Sequence, residues 1–225
     1  MNGQLTFEFP HRPASGRDDF IVVPGNRIAV DWIDRWPSWP GAGIVLHGPP
    51  GSGKTHLAHV FQERSGARFL TAAALATPAL PELLGDSRAI ILEGAETAPE
   101  APLFHLHNLL AEQGGHLLLT AAGPPAHWPL RLADLRSRLV IFPSVALGLP
   151  DDDLLGAVLV KLFRDRQLAV KPDLLIFLLA HMERSVEAAR EIVAALDAAS
   201  LAERRAVTIP LARRLLARFP AEERL

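Results

Sequence analysis

Apolar positions fall into two regimes along this chain. Up to about residue 148, short apolar runs alternate with longer stretches whose apolar positions recur every three to four residues. Ile44 to His47, Arg68 to Thr71, Ala89 to Leu92, His116 to Thr120 and Leu139 to Phe142 are the runs, and they predict strands. Between them, helices are predicted after Asn26 (Ile28, Trp32, Ile33 and Trp36 on one face, stopped by Pro37 and Pro40), from Thr55 to about Arg64, and from Pro102 to Gln113. Buried runs alternating with helices imply an α/β fold with a parallel sheet and crossover helices. Beyond Leu149-Pro150 the pattern is helical only, over about 151–166, 172–182, 186–204 and 210–218, and Asp151, Asp152 and Asp153 lie at the positive end of the first. The first nineteen residues break periodicity with Pro10, Pro13, Ser15 and Gly16. The predicted organisation is a tail over 1–19, an α/β part over 20–148 and a helical part over 149–225.

Composition narrows the classes. Of 225 residues, 23 are Lys or Arg and 25 are Asp or Glu, a net charge of −2, which excludes a protein that coats DNA by bulk charge. No cysteine is present, so disulfides, thiolate metal sites and cysteine nucleophiles are excluded together. A hydrophobic content of 49% suits a packed core rather than a disordered chain. No run approaches the ~20 apolar residues of a membrane span, and the N-terminus has no apolar leader. A cytoplasmic protein is expected.

The chemistry centres on one loop. Gly48-Pro49-Pro50-Gly51-Ser52-Gly53-Lys54-Thr55 satisfies G-x-x-x-x-G-K-[ST], with a predicted strand before it and a helix after it. Its glycines allow backbone N–H groups to turn inward around phosphates, Lys54 reaches the outer phosphates, and the Thr55 hydroxyl suits a magnesium ion. Only three lysines occur in the chain, and one fills the position the motif demands. The pattern arises by accident about once in a thousand chains of this composition. Glu93, ending the run Ala-Ile-Ile-Leu, is the candidate second ligand for magnesium. The next position, where an acid that activates water is expected, is Gly94, so slow intrinsic hydrolysis follows. Glu96 lies two residues beyond and is expected to face away. His56 and His59, three apart on the helix after the loop, lack a third ligand for zinc.

Together, Phe20-Ile-Val-Val-Pro-Gly-Asn-Arg-Ile-Ala29 and Ile44-Val-Leu-His-Gly-Pro-Pro-Gly-Ser-Gly-Lys-Thr-His-Leu-Ala-His59 resemble the opening of the DnaA/Hda family of AAA+ proteins. The resemblance spans about residues 20–220. It implies an AAA+ P-loop core with a small helical lid, binding ADP or ATP with Mg²⁺. It extends the nucleotide contacts to Val22, His56 and Arg184, makes Thr120 the sensor 1 residue, and puts Arg138, in Leu132-Ala-Asp-Leu-Arg-Ser-Arg138-Leu, at the arginine-finger position, with Arg136 as its substitute. The sensor 2 position is held here by Glu187; Arg184 and Arg190 each lie three residues from it, and Arg184 is preferred.

Two features distinguish the chain from DnaA within that family. The resemblance stops with the lid, so the origin-reading domain of DnaA is not expected here. Its N-terminus, Gln4-Leu5-Thr6-Phe7-Glu8-Phe9, resembles a peptide that docks on the sliding clamp of the replicative polymerase, with Gln4, Leu5, Phe7 and Phe9 as anchors. The implied function is a clamp-bound regulator that promotes hydrolysis of DnaA-bound ATP and so represses re-initiation of replication, acting near the nucleoid and touching DNA through the clamp. Self-association is an open possibility. The alternative is a DnaA-like helicase loader or recruiting ATPase.

Overall fold

The computed structural model describes residues 21–76, 84–85 and 87–217. Among the described residues, the first part holds five short strands, β1 (Gly43–His47), β2 (Arg68–Thr71), β3 (Ala89–Glu93), β4 (His116–Ala121) and β5 (Ser144–Ala146), and the α-helices α1 (Arg27–Asp34), α2 (Lys54–Ser65), α3 (Glu100–Glu112) and α4 (Ala133–Ile141). The strands form one parallel sheet in the order β2-β3-β4-β1-β5. Because side chains alternate along a strand, each central strand feeds two cores. Val45, Ile90, Leu92, Leu117 and Leu119 point to the face covered by α3 and α4. Ile44, Leu46, Ile91 and Leu118 point to the face covered by α1 and α2, where Ile33, Leu57 and Phe61 meet them. This two-sided burial explains why the strands read as continuous apolar runs.

Among the described residues, four further α-helices follow: α5 (Asp152–Asp165), α6 (Pro172–His181), α7 (Val186–Glu203) and α8 (Ile209–Leu216). They share a separate core that includes Leu155, Leu159, Phe163, Leu178, Ile192 and Leu196. Caps set two of their starts. The Asp151 carboxylate accepts from the Leu154 N–H at 2.8 Å, and the Ser185 hydroxyl accepts from the Ala188 N–H at 3.0 Å. Among the described residues, no helix is long and apolar enough to cross a membrane.

Two expectations change. Leu139–Phe142 is not a strand: residues through Ile141 belong to α4, and the strand comes later, at Ser144–Ala146. Its run of β-branched and aromatic residues resembles a strand, but Leu135 and Leu139 are buried one helical turn apart, while Val140 and Ile141 are exposed. Asn26 precedes α1 but does not cap it through its side chain. Its amide instead closes the preceding loop, accepting from the Val23 N–H and donating to the Ile21 carbonyl, both at 2.9 Å.

Candidate functional site

The site forms at the carboxyl ends of β1, β4 and β3, adjacent in that order, where parallel α/β sheets place their ligands. The loop Gly48–Gly53 joins β1 to α2. Gly48, Gly51 and Gly53 have φ of 155°, 76° and 91°, backbone that favours glycine. Lys54 folds back over the loop, donating to the carbonyls of Gly48 at 2.7 Å and Pro49 at 2.8 Å. Burial lowers the Lys54 pKa, against the pull of Glu96 and then Glu93 toward the charged form. Thr55 donates its hydroxyl to Glu93 Oε1 at 2.5 Å. The two side chains that sequence reasoning assigned to one cation, 38 positions apart, therefore meet. With a nucleotide present, these two oxygens are the ones that would hold magnesium. Among the described residues no group of three or more His, Asp or Glu side chains is arranged for a metal, so the phosphates would complete that ion's shell.

Two adjoining cavities run along the cleft. One, about 520 Å³, lies beside the phosphate loop and is lined by Gly51, Lys54, Thr55, Glu93, Glu96 and Thr120 among others. The other, about 430 Å³, lies between the sheet part and the helical part and is lined by Ile21, Val23, Asn26, Leu147, Leu154 and Val158 among others. Gly53, His56, Val186, Glu187 and Arg190 border both. The glycine loop with Lys54, Glu93 and Glu96 borders one end of the cleft, and Ile21, Val23, Leu147 and Leu154 border the other, an arrangement that suits the phosphates and the base of a nucleotide.

Gly48 through His56, Glu93 and Thr120 gather around this cleft or in its loop. Val22 does not line it: in the extended segment before α1 it packs toward the α1–α2 core, while its neighbours Ile21 and Val23 face the cavity. Arg184 lines neither cavity. It pairs with Asp152 at 2.8 Å and donates to the Pro150 carbonyl at 3.4 Å. Arg190 borders both cavities and contacts the His56 ring at 3.2 Å, bridging the helical part to α2. Helical spacing could have found this. Ser185 caps α7, so Arg184 lies before the helix, whereas Glu187 and Arg190 share one face. Glu96 also differs from expectation, because it lines the cavity beside the phosphate loop. Gln4, Leu5, Phe7 and Phe9 lie outside the described residues.

Arg138 is exposed on α4 and lines neither cavity. Its guanidinium lies over the Phe104 ring, 5.2 Å from the centroid. Arg136 is turned back, donating to the Leu130 carbonyl. Glu100, in the first turn of α3, holds the segment before α4. Its carboxylate accepts from the N–H groups of Arg131 (3.0 Å) and Leu132 (2.6 Å). Those backbone bonds lower its pKa. The interaction is thus present above the ordinary carboxylate range and is lost only as acid takes the pH down through the lowered value. Glu100→Ala should speed hydrogen exchange of the Arg131 and Leu132 amides at neutral pH, and wild type should match it only in acid. Unchanged exchange in the variant would show that other contacts hold this segment.

Comparisons with known proteins agree with this geometry. Residues 152–216 match the family model of the Hda lid domain. An uncharacterized protein of Haemophilus influenzae is 28% identical over 189 residues, 77% of this chain and 80% of that one. Domain III of the Thermotoga maritima replication initiation protein DnaA superposes with a TM-score of 0.75 at 18% identity, covering 94% of this chain and 99% of that one. AMPPCP-bound DnaA from Aquifex aeolicus superposes with a TM-score of 0.68 at 18% identity, covering 81% of this chain and 64% of that one. The parallel five-stranded sheet, its glycine loop and the helical unit behind it are the AAA+ fold. Residues 152–216 thus match a lid of the Hda type, on a chain whose fold is that of the AAA+ domain of DnaA.

Proposed function

We propose that this chain holds an adenine nucleotide with Mg²⁺ in its cleft and acts as a clamp-bound regulator that promotes hydrolysis of ATP on the initiator DnaA, repressing re-initiation. The match of residues 152–216 to the Hda lid carries this reading. The site supports the nucleotide half of it. Lys54 and the loop N–H groups take the phosphates, Thr55 and Glu93 hold the ion, and the apolar cavity between Ile21, Val23 and the lid takes the base. A bound Mg²⁺ supplies charge to offset the outer phosphates. Thr120, buried on β4 between the loop and Glu93, supplies a hydroxyl at the far end of the phosphates. Arg190 closes the cleft from the lid side in place of Arg184. The nucleotide here is a slowly turned-over signal, with ADP as the resting form, rather than a substrate consumed at speed. Arg138, displayed away from this chain's own cleft, is offered to the nucleotide of a partner.

The test is the rate at which DnaA-bound ATP is lost, with clamp loaded on DNA, with and without this protein. Acceleration by wild type is expected. Gln4→Ala is expected to remove it, because the tail peptide would no longer tether the protein to the clamp. No acceleration by wild type would leave the nucleotide fold standing and move the assignment to a helicase loader or recruiting ATPase, for which binding to the replicative helicase is the readout.

A further inference from the structure

β3 ends at Glu93, and the following Gly94 has φ of 68°, left-handed backbone that glycine adopts without strain. That turn swings the chain into a short 3-10 helix, Ala95–Thr97, rather than letting it run on past the sheet. Thr97 fixes the turn, its N–H and hydroxyl both donating to the Gly94 carbonyl, at 3.0 and 2.8 Å. The result brings Glu96 back against the end of β4. Its Oε1 accepts from the Ala122 N–H at 2.7 Å, which anchors the carboxylate. Its Oε2 is buried and has no hydrogen-bond partner in the protein. The residue lines the cavity beside the phosphate loop together with Lys54, Thr55, Glu93 and Thr120.

A buried carboxylate oxygen without a partner is costly unless a ligand or water completes it. Here the carboxylate is fixed through its other oxygen by one backbone bond, and the residue borders the space beside the phosphate loop. An acid at position 94 is missing, but the left-handed turn that Gly94 permits delivers a carboxylate to that space from two residues further on.

We propose that Glu96 is the group that activates water against the γ-phosphate of a nucleotide held in this chain's own cleft, so that the chain slowly converts its bound ATP to ADP. The proposal rests on the nucleotide-binding reading above. In the step, the water oxygen forms a bond to the γ-phosphorus and its proton passes to the Glu96 carboxylate. The bond from the γ-phosphorus to the β–γ bridging oxygen breaks, and ADP leaves with that electron pair. The proton then passes to solvent as phosphate departs. Glu93 remains free for the cation with Thr55, which divides the two acids between two tasks.

The experiment uses the full chain alone, without clamp or DnaA. ATP labelled at the γ-phosphate is supplied with Mg²⁺ below the protein concentration, and one turnover is followed. Affinity for AMPPCP is measured in parallel for each variant. Glu96→Gln is expected to slow the turnover about 100-fold or more without weakening AMPPCP binding. Glu96→Asp, which keeps the base but shortens its reach, should fall between the two. A crystal structure with AMPPCP should show an ordered water on the Glu96 carboxylate, lost in Glu96→Ala. Binding without hydrolysis by wild type, or hydrolysis that Glu96→Gln leaves unchanged, overturns the proposal alone. Failure of wild type to bind any nucleotide overturns the reading of the cleft, and the proposal with it.

Discussion

Arg138→Ala is expected to abolish the acceleration of DnaA-bound ATP hydrolysis while this chain keeps its own nucleotide. An arginine supplied to a partner's γ-phosphate stabilises charge that develops in the transition state, and its removal costs about 10³–10⁵ in rate. The side chain is suited to that role. It is exposed, it lies outside the cleft of its own chain, and the Phe104 ring braces its guanidinium at 5.2 Å without consuming its donors. Val140 and Ile141, 55% and 78% exposed on the same short helix, add apolar surface beside it. Arg136→Ala is the matched control. Its guanidinium already donates to the Leu130 carbonyl, so its loss should act through the local backbone and fall well short of the Arg138 effect. The reverse order, with Arg136→Ala inactive and Arg138→Ala active, would reassign the finger.

The second large effect belongs to Lys54→Ala, which should weaken binding of ADP or AMPPCP by at least about 100-fold. Lys54 is a partly buried cation at the mouth of the phosphate loop, bonded to the Gly48 and Pro49 carbonyls. Phosphate oxygens would replace those carbonyls as acceptors and form charge-assisted hydrogen bonds. Removing the ammonium also leaves Glu93 and Glu96 facing the phosphates with no opposing charge from the loop. Titration calorimetry checks this directly. Retained affinity would mean that the loop N–H groups and the cation suffice without the lysine. The thermal midpoint of the protein without ligand should change little, since Lys54 contributes to none of the three apolar cores.

Much of the arrangement was legible because it follows from strict local rules. The glycine loop with Lys54 and Thr55 can be recognised from residue type and spacing, and Glu93 from its place at the end of an apolar run. Their meeting through a 2.5 Å hydrogen bond follows once β1 and β3 flank β4 in one parallel sheet. The features that escaped depend on where a helix begins or how a turn is bent. Leu139–Phe142 has strand composition, yet one-turn burial of Leu135 and Leu139 against α3 and β4 decides for helix. Arg184 and Arg190 are equally spaced from Glu187, but the Ser185 cap leaves only Arg190 on the helical face. Glu96 reads as a surface acid until Gly94 takes a positive φ and reverses the chain beneath it.

Helix α2 links two distant ends of the molecule. Its first turn carries Lys54 and Thr55 at the phosphate loop, and further along Phe61 meets two indoles. Trp39 stacks on the Phe61 ring at 5.1 Å, and Trp36 meets the same ring edge-on at 5.7 Å. The His116 ring, kept toward its neutral form by burial, closes the group edge-on against both indoles. The chain has four tryptophans and no tyrosine, so its ultraviolet emission is dominated by few sources, two of which rest on the shaft that bears the loop. The protein thus carries a native optical gauge of its own α2, readable in solution without a label.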